Sequence, residues 1–379
     1  MCQPQQKKLF YDDGELPTQS VIPFGVGLLA LGSIQGLGQK GLRSLVAHYG
    51  DHIGQLLWQS EAELTVNLKK CRISGADKFA AIITKDPSRI IQQAEAELEL
   101  LEGRNIRVIQ PSKLPERLRS INSDAPKWLF VEGSVDALMN RPVVAVVGTR
   151  TPTEKGLYAA RIVATILAPY PVLMVSGLAK GIDCQSHYHS LGFGVKNLAF
   201  LGHGINHVFP EDTADIRRTI IDKGGAIVSE YMPDQTYQKH QFVERNRLQA
   251  ALADIVIPVE AAADSGTAHT IRFARRYART LVGMNWGGAV GIVDDLRANN
   301  SRLIDIFTSA GQRELDQMVK GILIAEGADT YPFKNLERFA QREFGNRTYS
   351  EVDLQRLIEA ITKVALPKIT QESPADGAT

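Results

Sequence analysis

Four short segments of this chain carry glycines, hydroxyls or cations in patterns that suit an anion. They are Gly148-Thr149-Arg150, Ser176-Gly177-Leu178-Ala179-Lys180-Gly181-Ile182-Asp183, Phe242-Val243-Glu244-Arg245-Asn246-Arg247 and Ser265-Gly266-Thr267. Glycine lets a backbone approach a ligand closely, free N–H groups at a helix start attract anions, and a guanidinium offers a two-pronged fork to a phosphate. In the second segment the Ser176 hydroxyl, the turn amides and the Lys180 ammonium can converge on one anion, with Asp183 as the helix N-cap. Ser265-Gly266-Thr267 offers another anion-friendly helix start. Arg245 and Arg247, one residue apart on a helix, face different directions. One is expected to reach a ligand and the other to pair with a carboxylate such as Glu230 or Glu260. The chemistry is phosphate binding rather than acyl transfer.

Other chemistries lack their signatures. There is no G-x-x-x-x-G-K-[ST] loop, no G-x-G-x-x-G after the first strand, no G-x-S-x-G elbow and no kinase motif. His187, His189, His203 and His207 have permissive spacing for a metal, but no carboxylate or thiolate motif frames them, so no metal is expected. Neither a cofactor nor a catalytic residue is assigned.

The elements that position these segments follow from apolar runs at 143–147, 172–176, 197–201, 226–229, 254–259 and 280–284, each followed by a helix-like stretch. Such alternation implies an α/β, Rossmann-like parallel sheet with helices on both faces and ligands outside the strands' carboxyl ends. Residues 1–20 read as a flexible N-terminus and 21–110 as a helical domain. Within the latter, Ile34-Gln35-Gly36-Leu37-Gly38 has the look of a helix-hairpin-helix turn, and Gly50 that of a C-cap. Residues 111–325 read as the sheet domain, 326–366 as a small helical region and 367–379 as a disordered tail. The stretches Arg302–Phe307 and Arg313–Leu323 look like amphipathic helices. Arg272, Arg276 and Arg279 follow helical spacing along one face.

The chain has 379 residues and a formal net charge of +1, which excludes a histone-like, strongly basic nucleic-acid binder but not a local basic pocket. Three dispersed cysteines, a polar start and no long apolar run suggest a reduced, cytoplasmic protein without a membrane span.

Taken in order, the motifs resemble those of the DNA-processing protein A (DprA/Smf) family. The resemblance rests on Asp124-Ala125-Pro126, Val147–Arg150, Ser176–Asp183, Gly202–Pro210, Ser229-Glu230, Phe242–Arg247, Val259-Glu260-Ala261 and Ser265–Thr270. It implies a helical (SAM/helix-hairpin-helix-like) domain before a Rossmann-like domain that dimerises and binds single-stranded DNA. It also implies protection of that DNA and its transfer to a RecA-type recombinase. By motif, Arg150 and Lys180 are the leading phosphate contacts. Gly148, Ser176, Gly177, Arg245 and Arg247 line or support the pocket, and Phe242 stacks on a base. The chain departs from the family at Thr213, where an asparagine is usual, and at Gly283-Met284-Asn285-Trp286-Gly287, where V-P-G is typical. The family's common C-terminal winged helix is not evident. The alternative to DNA binding is a nucleotide-cleaving enzyme using Glu260 beside Ser265-Gly266-Thr267, or a nucleotide sensor. Enzymes of that kind carry P-G-G-x-G-T-x-x-E, which is absent here.

Overall fold

The computed structural model describes residues 21–286 and 291–325, with a few isolated positions beyond. The expected N-terminal segment 1–20, the tail 367–379, Gly287 and nearly all of 326–366 lie outside the described residues. The chain divides into two compact units, Met1–Leu98 and Glu99–Thr379.

The first unit is helical, with helices Phe24–Gly32, Gly38–Tyr49, Glu61–Lys70 and Ala76–Lys85 and a 3₁₀ stretch Gly50–Trp58. Apolar residues at helical spacing supply its core, including Leu28, Leu31, Leu42, Leu45, Leu64 and Leu68. Ser60 and Glu63 form a reciprocal capping box that fixes one helix start. The turn between the first two helices carries Gly36 at φ 94° and Gly38 at φ 61°, left-handed values that glycine adopts without a Cβ clash. Gly50 ends the second helix at φ 54°. Helix Pro87–Gly103 carries the chain across the boundary.

The described residues of the second unit build nine strands: β1 (Ile106–Ile109), β2 (Leu129–Gly133), β3 (Val143–Val147), β4 (Leu173–Ser176), β5 (Lys196–Phe200), β6 (Ala226–Ser229), β7 (Ile255–Pro258), β8 (Thr280–Met284) and β9 (Arg302–Ile304). Their spatial order is β1-β2-β6-β5-β4-β3-β7-β8-β9. From β6 through to β9 every pairing is parallel, and β1 and β2 extend one side antiparallel. β3 to β8 are the six strands marked by the apolar runs.

Period-two alternation divides the core. Val143, Ala145, Val147, Leu173 and Val175 pack on one face, while Val144, Val146, Met174, Ile255 and Ile257 pack on the other. The chain steps outward from β3 to β6, then returns to lay β7 on the other side of β3. That reversal opens a crevice beyond the carboxyl ends of β3 and β7.

Three local expectations need correction. Arg302–Ile304 is a strand rather than a helix, because it pairs in register with Val282–Met284. The helix after β4 begins at Ile182 with Gly181 as its cap, so Asp183 lies inside the first turn. The helix Gly266–Arg276 ends before Ala278, which has φ 53°, so Arg279 leaves the face of Arg272 and Arg276.

Candidate nucleic-acid interface

Backbone bonds lash together the loops leaving β3, β4 and β7. Thr149 N donates to Glu260 O at 2.8 Å, and Ile182 N donates to Thr149 O at 3.1 Å. Glu260 accepts from Thr153 N at 3.0 Å and from Thr153 Oγ1 at 3.1 Å, fixing the start of helix Glu154–Leu167. The carboxylate proposed for catalysis is thus engaged by a helix cap.

Two clefts open above these loops. The larger, of about 1000 Å³, lies between Lys180, Asp212 and the segment His207–Pro210. The smaller, of about 570 Å³, lies over Gly148-Thr149, Lys239 and Ser265-Gly266-Thr267. Arg150, Phe209, Tyr237 and Phe242 border both. The three rings form a ridge between the clefts. Phe209 and Tyr237 stack with centroids 3.9 Å apart, and Phe242 lies 5.8 Å from Phe209. The Arg150 guanidinium sits over the Phe242 ring at 5.3 Å, a cation–π distance.

Most expected residues border this region. Arg150, Gly177, Lys180 and Phe242 line the larger cleft, and Gly148, Arg150, Phe242, Arg245, Ser265, Gly266 and Thr267 line the smaller. Arg150 is exposed. Lys180 already pairs with Asp212 at 2.9 Å, both side chains being 60% exposed. This exposed pair is a weak, solvent-screened contact that an incoming anion would displace at little cost.

Ser176 and Arg247 line neither cleft. The Ser176 hydroxyl is buried and donates to Val146 O at 2.6 Å. Arg247 is buried in a two-pronged pair with Glu230, with Nη2 donating to Oε1 at 2.8 Å and Nη1 to Oε2, and its Nε donates to Asp124 O at 2.8 Å. Of the two carboxylates considered for this arginine, Glu230 is the partner.

Arg245 is a floor beneath the smaller cleft. It is buried and donates from Nη1 to Phe200 O at 2.8 Å. Burial pushes its pKa down to about 10, against the attraction of Asp183 and with further lowering by Arg150, so it stays charged at neutral pH. Burial raises the Asp183 pKa, and the charge of Arg245 opposes that rise. Asp183 also accepts from Gly177 N at 3.2 Å. A Cβ on Gly177 would stand 1.7 Å from Arg245 Nη1, so this glycine makes room for the guanidinium. Gly148 likewise yields to protein rather than to ligand, since a Cβ there would lie 2.6 Å from Ile182 Cγ1.

The sequence reading missed Lys239, Tyr237 and Phe209. Lys239 opens helix Lys239–Leu252 three residues before Phe242. Helical spacing from the F-x-x-R-N-R motif was a usable signal for it. Tyr237 and Phe209 come together only through the fold. Of the four histidines, His187 bonds Asn197 Oδ1 at 2.7 Å, and His203 and His207 approach backbone carbonyls. Among the described residues, no three histidine, cysteine or acidic side chains gather as a metal site would require.

A family model described as DNA recombination-mediator protein A matches residues 105–299. Among curated relatives, protein Smf of Escherichia coli is 36% identical over 159 residues, covering 42% of each chain. DNA processing protein DprA of Streptococcus pneumoniae is 36% identical over 158 residues, covering 42% of this chain and 55% of the other. The chain thus spans about half the length of the curated relatives it matches. Among solved structures, DprA from Streptococcus pneumoniae aligns with TM-score 0.50 at 25% identity, covering 70% of this chain and 94% of that one. DprA from Helicobacter pylori, whose structure concerns its single-stranded DNA binding mode, aligns with TM-score 0.51 at 24% identity, covering 59% and 97%. With the family model spanning more than half of the chain, from β1 through β8 to the helix Ile292–Ala298, this chain belongs to the DNA recombination-mediator protein A family.

Proposed function

We propose that this chain binds single-stranded DNA across the two strand-end clefts, shields it and passes it to a RecA-type recombinase, acting as a homodimer. The observation that carries the DNA reading is Arg150 lying on Phe242 where both clefts meet. A cation on an aromatic ridge, with a helix start and Lys239 on one side and Lys180 on the other, suits a backbone phosphate flanked by unpaired, stacking bases. The names of the relatives support a role in DNA processing. The recombinase and the dimer rest on the family resemblance. Engagement of Glu260 by Thr153 weighs against the nucleotide-cleaving alternative.

The test is fluorescence anisotropy of a labelled oligonucleotide against wild type and Arg150→Ala across a salt series. The expected result is salt-sensitive binding by wild type. In the variant, affinity falls and the slope of log K on log salt shrinks by about 0.7 for one lost phosphate contact. Equal binding by the two proteins removes the proposed site. Absence of binding by folded wild type, with base released from a nucleotide panel, moves the assignment to the enzyme.

A further inference from the structure

A third cavity, of about 410 Å³, lies in the helical layer and shares no residue with the two clefts. Helices Glu154–Leu167, Ile182–Gly192 and Ala214–Asp222 contribute to its walls. Leu191, Phe193 and Ile216 give it an apolar lining. Tyr188, 64% exposed, stands at its side with its ring edge-on to His189, the centroids 5.3 Å apart.

The cavity wall carries two cations, Arg161 and Lys223, against one carboxylate, Asp215, which leaves a net positive charge. Arg161 Nε is buried without a hydrogen-bond partner, and the guanidinium forms no ion pair among the described residues. The other cation in the wall, Lys223, donates to Leu191 O at 2.6 Å and so neutralises the carboxyl end of helix Ile182–Gly192. His189 adds no charge at neutral pH, since burial, with Arg161 beside it, pushes its pKa down to about 4. Asp215 is also in the wall, almost wholly exposed at 94%, and its negative charge opposes a multiply charged anion. A single guanidinium beside an apolar wall matches a monoanion on an apolar body. The volume suits one large side chain, and exposed Tyr188 gives the residue before it a surface to lie on.

We propose that this cavity binds the carboxylate-bearing last residue of a peptide chain whose final side chain is apolar or aromatic. Arg161 holds the carboxylate, and Phe193, Leu191 and Ile216 hold the side chain. The partner is therefore a protein that presents its own C-terminus.

Isothermal titration calorimetry on the full-length protein tests this with acetyl-Gly-Gly-Phe as the free acid, the same peptide as its C-terminal amide, 3-phenylpropanoate and inorganic phosphate. The free acid is expected to bind. Amidation weakens it at least about tenfold, the scale of one lost charge-assisted hydrogen bond, and Arg161→Gln brings the free acid down to the level of the amide. Arg161→Lys, which keeps the charge but not the fork, falls between the two. Single-stranded DNA binding and the melting temperature of Arg161→Gln stay at wild-type values, which separates this site from the DNA clefts. Equal binding of acid and amide, no binding of either, or an unaffected Arg161→Gln variant overturns the proposal. Tighter binding of phosphate makes this a plain anion site, and tighter binding of 3-phenylpropanoate makes it a small-molecule site; either also overturns it. If Arg161→Gln does not fold, the acid–amide comparison on wild type still decides.

Discussion

Arg150 and Arg247 bring the same guanidinium into opposite surroundings. Arg150 is exposed on an aromatic ring, whereas Arg247 is buried against Glu230. The Arg150→Ala variant should therefore bind DNA more weakly while its urea midpoint stays unchanged. Arg247→Ala strands a buried carboxylate and should cost about 3–5 kcal/mol of stability, read as a lower urea midpoint. A stability loss below about 1 kcal/mol would show that water or its other contacts hold Glu230. The one-residue spacing of Arg245 and Arg247 foretold different directions for the two side chains. It carried no information on depth, and both are buried. Depth depends on Gly177, Asp183 and Glu230, which lie on other elements and meet these arginines only in the folded sheet.

At the scale of elements, the interior strands were legible because parallel strands buried on both faces are continuous apolar runs, as in Val143–Val147. The edges were not. β1 reads Ile-Arg-Val-Ile and β9 only Arg-Leu-Ile, too short to establish a period. The stretch from the end of β4 through helix Ile182–Gly192 bears on stability at two points. Directly after β4, Gly177→Ala would place a methyl in the space of Arg245 Nη1. It should destabilise the fold by about 1–3 kcal/mol through overpacking and weaken DNA binding as the cleft floor shifts. Unchanged thermal unfolding would mean that Arg245 has room to move aside. Further along, burial first of all pushes His187 down from its ordinary 6.5 to about 4. The unfolded chain therefore takes up this proton at a higher pH than the folded one. The stability from neutral His187 is complete above pH 6.5 and is lost as pH falls toward 4. His187→Gln should remove that part of the slope, on the order of 3 kcal/mol across the window, in urea titrations at stepped pH. Identical slopes in wild type and variant would assign the acid sensitivity to other groups.

For the whole molecule, a net charge of +1 leaves little long-range field to draw in a polyanion. Discrimination should come from the ridge of Phe209, Tyr237 and Phe242, which only unpaired bases can stack upon. In competition, duplex DNA of equal length should displace a labelled single strand only at much higher concentration. Equal competition would reduce the ridge to packing. The nine-stranded sheet has a further consequence, for behaviour at high concentration. Among the described residues it ends in short strands, and each carries an exposed arginine, Arg107 on β1 and Arg302 on β9, the latter paired with Glu314. Both edges are thus short and charged, and such edges deter pairing with another copy's strand. Such edges guard the sheet against growing between copies into aggregates when the protein is concentrated.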